Sequence, residues 1–256
     1  LQQIFQVFGG PGKSVLSFTP SYSMYPLLAQ GTGTEFISYG RDERFELSAQ
    51  TVKAAIRQSN PSLVLLCSPN NPTGTPIAQS VIEAAYDELQ AVTGGILVVD
   101  EAYVEFSRDQ SISAVDLLST RPNLLVSRTM SKAFAFAGAR VGYLVASPAV
   151  CDALRLVRLP YHLSALTQAA AQVAIDHRAE LLGGVSTLIA ARAQVVQALH
   201  DMGLATIQSS ANFVLFTGFK QDAPQLWAAL LEKGVLIRDV GLSGYLRVTI
   251  GNEAEN

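Results

Sequence analysis

Two apolar runs constrain this chain most: Ser62-Leu63-Val64-Leu65-Leu66-Cys67 and Gly95-Ile96-Leu97-Val98-Val99-Asp100. A strand with one solvated face alternates apolar and polar residues. These two do not alternate, so they read as central strands covered on both faces. Similar short runs recur at Val15–Phe18, Thr34–Ser38, Leu124–Ser127 and Gly142–Ala146. Helical patterns lie between them, at Ser48–Ser59, Gln79–Gln90 and Ser111–Leu118. Strand–helix alternation of this kind predicts an α/β fold, with a mostly parallel sheet between two layers of helices.

The rhythm changes near Pro160. Two helical patterns follow, Ser164–His177 and Glu180–Met202. Then come a strand (Ala211–Phe216), a helix (Ala223–Lys233) and two more strands (Val235–Val240 and Tyr245–Gly251). Residues 1–160 therefore read as a large α/β domain and 161–256 as a smaller α+β domain. The boundary falls in Arg158–Ser164, where Pro160 interrupts helix and Ser164 is placed to cap the next one. The chain opens on Leu1 in a pattern already helical and stops at Glu253–Asn256, which reads as the start of another helix. It is expected to be a fragment cut at both ends.

Bulk properties exclude several classes. A net charge of −3 over 256 residues carries no electrostatic signal for nucleic acid. Cys67 and Cys151 form no disulfide framework. His162, His177 and His200 have no metal-ligand spacing, and the last two suit helix ends. No apolar run resembles a signal peptide or a membrane span. The expectation is a cytoplasmic globular protein with small-molecule substrates and neither nucleic acid nor membrane as partner.

The chemistry-bearing residues gather where open α/β sheets bind ligands, just past the carboxyl ends of strands. Tyr22 follows Val15–Phe18. Ser68-Pro69-Asn70-Asn71-Pro72-Thr73-Gly74 follows Leu63–Cys67, and Asp100-Glu101-Ala102-Tyr103 follows Gly95–Val99. Leu124–Ser127 leads into Arg128-Thr129-Met130-Ser131-Lys132, with Arg140 eight positions beyond the lysine. Each segment has a plain reading: a turn rich in Asn, Pro and Gly, a helix cap, rim packing, an ordinary loop. No phosphate-binding GxxxxGK[ST] loop is present.

Together they describe one chemistry. Apolar neighbours and the cations Arg128 and Arg140 would lower the pKa of Lys132 and leave it a nucleophilic amine for a carbonyl. Thr129, Ser131 and Arg140 could hold a phosphate. Asp100 could keep a pyridine nitrogen protonated, Asn71 and Tyr103 could bond a ring hydroxyl, and Tyr22 could stack on the ring. The group with all these needs is pyridoxal 5'-phosphate (PLP).

The order of these motifs resembles fold-type-I PLP-dependent aminotransferases, most closely their histidinol-phosphate branch in its actinobacterial form. Phe8–Gly12, Phe18–Leu27, Arg158–Ser164, Ala211–Phe216, Ile237–Val240 and Gly244–Gly251 extend the resemblance over the whole chain. It implies that Lys132 links to the cofactor and moves the substrate proton, with Tyr22, Asn71, Asp100, Tyr103, Thr129, Ser131 and Arg140 as cofactor contacts. It implies Arg247 as the fork for an anionic substrate group, carboxylate or phosphate, and Arg238 as a candidate for the substrate phosphate. It further implies transamination between glutamate and imidazole-acetol phosphate, a homodimer, and family segments before Leu1 and after Asn256. An aromatic amino acid aminotransferase and a non-catalytic PLP-binding regulator domain remain open as alternatives.

Overall fold

A computed structural model of the chain describes residues 1–107 and 113–256. In chain order the elements are α1 (Gln2–Phe8), β1 (Ser14–Thr19), α2 (Met24–Thr32), β2 (Glu35–Gly40), α3 (Ala49–Ser59), β3 (Leu63–Cys67), α4 (Gln79–Val92) and β4 (Ile96–Asp100). Then follow β5 (Leu124–Thr129), β6 (Gly142–Ala146), α5 (Pro148–Arg155), α6 (Ala165–Asp176), α7 (Arg178–Asp201), β7 (Ala205–Thr206), β8 (Phe213–Thr217), α8 (Ala223–Glu232), β9 (Arg238–Asp239) and β10 (Leu246–Thr249).

The first sheet has the order β2-β1-β3-β4-β5-β6. Its first five strands are parallel, and β6 runs antiparallel to β5. Every residue of β3 and β4 is buried, as their unbroken apolar runs require. Successive side chains go to opposite faces. Val64, Leu66, Leu97 and Val99 meet Val52 and Ile56 of α3 and Ile82 and Leu89 of α4. Leu63, Leu65, Cys67 and Val98 meet Ile4 and Phe5 of α1, Tyr25 of α2 and Leu154 of α5. The strand order reverses between β1 and β3, so their carboxyl ends part and leave a crevice.

The second sheet, β7-β8-β10-β9, is antiparallel throughout. Val214, Phe216 and Leu246 bury against Leu199 of α7 and Ala223 of α8. Ser164 caps α6 as expected, accepting from the Thr167 amide at 3.0 Å.

Several expectations change. The helix expected at Ser111–Leu118 is a 3-10 helix over Ala114–Thr120, and Ser111 and Ile112 lie outside the described residues. The strand expected at Val235–Val240 shrinks to Arg238–Asp239, because only these two residues find partners on β10. Residues 253–255 form one turn whose amides bond to Asn252 Oδ1, not a helix. By length and composition α7 is the one described helix that could cross a membrane, where no span was expected. It instead packs Leu188, Val195, Val196 and Leu199 on the second sheet and carries a buried Arg192 bonded to the Phe106 and Ala211 carbonyls.

Candidate active site

All ten residues singled out from the sequence line one cavity of about 1060 Å³: Tyr22, Asn71, Asp100, Tyr103, Thr129, Ser131, Lys132, Arg140, Arg238 and Arg247. Eight come from the carboxyl edge of the first sheet. The two arginines come from β9 and β10 of the second sheet, which close the cavity from across the crevice.

Asp100 is the last residue of β4 and is buried at the cavity wall. The Tyr25 hydroxyl donates to Oδ2 at 2.9 Å, and the Ser127 hydroxyl donates to Oδ1 at 3.0 Å. Burial pushes this carboxyl above its ordinary range, and the two hydroxyl bonds pull it back. Neither donor was singled out in the sequence. Ser127 sits directly opposite Asp100 in the parallel register. Tyr25 stands three residues after Tyr22 in the first turn of α2, where the two rings meet edge to face at 5.5 Å. Equivalent positions at the ends of adjacent strands were the available signal for Ser127.

Lys132 opens into the cavity from the turn after β5. Among the described residues it has no acidic partner, and its Nζ stands 5.5 Å from the centre of the Tyr103 ring. Desolvation lowers its amine pKa, and the charges of Arg247 and then Arg140 lower it further. Arg128 was expected to share in this and does not. Its guanidinium turns to the buried Glu101, with Nη2 at 2.8 Å and Nε at 3.1 Å from Oε2, and bonds Ser113 as well. Arg247, 115 positions away in the chain, supplies the charge that Arg128 was thought to supply.

Thr129 and Ser131 point their hydroxyls together, 2.9 Å apart. Arg140 precedes β6 in a left-handed conformation, φ 55°. Gly142 follows because β5 and β6 approach too closely for a side chain: a Cβ there would stand 2.7 Å from the Arg128 carbonyl oxygen. Tyr103 is buried, its phenol raised to about 12 mainly by that burial, and packs edge to face on Phe213.

Arg247 bridges the two sheets. Its Nη1 donates to Asn71 Oδ1 at 2.5 Å, which leaves the Asn71 amide NH2 free for another acceptor. Its Cζ lies 4.5 Å from the Phe213 ring centre, and its buried Nε has no partner among the described residues. A buried donor without an acceptor is costly, so this nitrogen is a place for an anionic oxygen.

Residues 1–256 match the family of aminotransferase class I and II. The chain belongs to this family. A histidinol-phosphate aminotransferase of Paenarthrobacter aurescens is 52% identical over 255 residues, which is all of this chain and 68% of that enzyme. One from Mycolicibacterium smegmatis is 54% identical over 257 residues, covering 66% of its length. The solved histidinol-phosphate aminotransferase of Sinorhizobium meliloti, in complex with pyridoxal-5'-phosphate, superposes with a TM-score of 0.89 at 27% identity, over 99% of this chain and 70% of that one. In this aminotransferase chain the fold is thus a fold-type-I PLP aminotransferase fold, and the sequence expectation of an α/β sheet with a second α+β sheet holds.

Proposed function

We propose that the chain catalyses transamination between glutamate and imidazole-acetol phosphate, yielding 2-oxoglutarate and histidinol phosphate, with PLP as cofactor. The observation that carries the chemistry is an acid-free lysine facing Arg247 and Arg140 in a cavity that also holds the Asp100 carboxylate. The choice of substrate is supported by relatives at 52–54% identity named for histidinol phosphate.

The donor set fits the cofactor. Thr129, Ser131 and Arg140 would hold its phosphate, Asp100 its ring nitrogen, Asn71 and Tyr103 its ring oxygen, and Tyr22 its face. When bound, it supplies an aldehyde that receives the amino group and a protonated ring that draws electrons from the reacting carbon. The protein's own groups do the rest. Lys132 Nζ, its proton affinity lowered by burial and by Arg247 and Arg140, takes the proton from the substrate carbon bearing nitrogen and later returns one. A positioned base with a pKa near the working pH contributes roughly 10²–10⁴-fold. Tyr25 and Ser127 fix the Asp100 carboxylate so that it need not reorient. Arg247 takes the glutamate carboxylate in one half of the cycle and the substrate phosphate in the other, since both anions accept an arginine fork. Arg238, beside it on β9, adds to the phosphate.

Residues 1–160 and 161–256 would serve as the large and small domains of a cytoplasmic homodimer. Leu156, Leu159, Tyr161 and Leu166 are 73–98% exposed around the junction between α5 and α6, which suits burial against a second subunit.

The test is a half-reaction on the holoenzyme. Histidinol phosphate should discharge the visible band of the bound cofactor at far lower concentration than phenylalanine, and Lys132→Ala should abolish both the band and turnover. Preference for phenylalanine would replace this reading with an aromatic aminotransferase. An active Lys132→Ala variant would refute the role of the lysine.

A further inference from the structure

One contact between the two halves of the molecule has no part in the chemistry above. Phe45, in the turn after β2, meets Tyr245 edge to face with ring centres 5.4 Å apart. Neither ring is among the residues lining the cavity. Tyr245 stands two residues before Arg247, so in extended chain the two side chains leave the same side of the backbone. Leu246 between them points the other way, into the core of the second sheet.

Phe45 adopts φ 60°, a left-handed conformation unusual for an aromatic residue. Its surroundings hold it there. The Phe45 amide donates to the Asp42 carbonyl at 2.9 Å, and Asp42 Oδ1 accepts the Arg44 and Glu46 amides at 3.0 and 2.7 Å. The Phe45 carbonyl accepts from Arg41 Nη1 at 3.3 Å and from the Thr75 hydroxyl at 3.0 Å. Arg41 Nε is anchored to the Phe18 carbonyl at 3.3 Å. From Thr75 the bonding continues to Thr73 at 2.8 Å and thence to Asn70 at 2.8 Å, next to the Asn71 that receives Arg247. A strained residue persists only where its neighbours over-determine it, and here they fix where one ring stands.

We infer that Phe45 is a positioning residue for substrate binding. Its ring seats Tyr245, and through it sets where β10 presents Arg247 to the anionic group of the substrate. The inference rests on the proposed role of Arg247 as that anion site.

The experiment uses the holoenzyme with Phe45→Ala, Tyr245→Ala, the double variant, and Phe45→Tyr as the conservative control. An aromatic pair of this kind corresponds to a change of roughly threefold to tenfold. Phe45→Ala should therefore raise KM for both glutamate and histidinol phosphate by that factor, with kcat and the cofactor band unchanged. The double variant should match Tyr245→Ala alone, because the effect runs through Tyr245. Phe45→Tyr should behave as the parent. Unchanged KM, additive losses, or a fall in kcat alone would overturn the inference. Where Phe45→Ala does not accumulate as folded protein, Phe45→Leu keeps most of the volume without the ring, and an unchanged KM there overturns it equally. A parent enzyme that ignores histidinol phosphate sinks the proposed function, while the glutamate KM still decides the role of Phe45.

Discussion

Replacing Tyr25 with Phe removes one oxygen from the interior and tests how the Asp100 carboxylate is kept. The Tyr25 ring is fully buried, and its hydroxyl gives Asp100 Oδ2 a 2.9 Å bond. A hydrogen bond to a charged group contributes about 1.5–3 kcal/mol, and one between neutral groups about 0.5–1.5 kcal/mol. The variant of the apoprotein should therefore lose about 1.5–3 kcal/mol where Asp100 is ionised, and only about 0.5–1.5 kcal/mol where it is protonated. The sign follows from the direction of the shift. Burial holds the folded pKa of Asp100 above its ordinary 3.8, so its contribution to stability is fully present below the unfolded value and is lost as pH rises through the folded one. The Tyr25 bond opposes that loss. Without it the folded pKa rises further, and the variant falls away more steeply on the alkaline side. Urea unfolding of both apoproteins, from about pH 4 to about pH 8, measures the gap directly. It should widen as pH rises. A gap that is constant across the range, or widens toward acid, would refute the account of Asp100 as a desolvated carboxylate held by Tyr25.

Three further outcomes follow from the geometry. Arg247→Gln should raise the pKa of the Lys132 amine toward its ordinary value, read from the pH dependence of its acylation in the apoprotein; an unchanged or lowered value contradicts the coupling. Arg128→Met leaves the Glu101 side chain, 0% exposed, without its cation and should cost about 3–5 kcal/mol in urea unfolding, whereas a loss under about 1 kcal/mol argues against a buried pair. Gly74→Ala asks a side chain to adopt φ 78° with its Cβ driven into the Ser209 side chain, and should destabilise by an amount on the order of 1–3 kcal/mol. In a Ser209→Gly background the same substitution should cost less in calorimetry, and an equal cost in both backgrounds would show the strain to be backbone alone.

The first sheet was legible because its central strands are buried on both faces and carry unbroken apolar runs. Leu63–Cys67 and Gly142–Ala146 coincide with the observed strands. β5 was drawn short because its last residues, Arg128 and Thr129, are polar while their ladder continues to Tyr143 and Gly142. The reversal of β6 is not written in its hydrophobicity. The clue was the connection, since a parallel partner needs a crossover, usually helical, and Met130–Val141 holds only a 3-10 turn at Ala137–Ala139. In the site, residues at strand ends could be found by position alone. Arg128 was misjudged because closeness in sequence says nothing about direction: side chains alternate along β5, and this one leaves toward Glu101. Arg247's influence on Lys132 depends on how the second sheet meets the first, which no local pattern encodes.

The chain is net negative, yet its cavity is not. Among the described lining residues the acids are Asp100 and Asp239, against seven Lys and Arg side chains, of which Arg128 and Arg155 are paired outside the cavity with Glu101 and Asp152. The remaining cations do two things at once. They draw anions inward, and two of them, Arg247 and Arg140, add to burial in lowering the Lys132 amine below its ordinary pKa. These effects are linked. An anionic group that settles on Arg247 cancels part of the field that suppresses protonation of Lys132, so the lysine becomes a stronger base as the substrate docks. Before docking the charge of Arg247 holds the amine's proton affinity down; after docking the amine is better able to take a proton. One arginine thereby adjusts the lysine for two successive tasks, which is a reason for placing the anion site where its charge reaches Nζ.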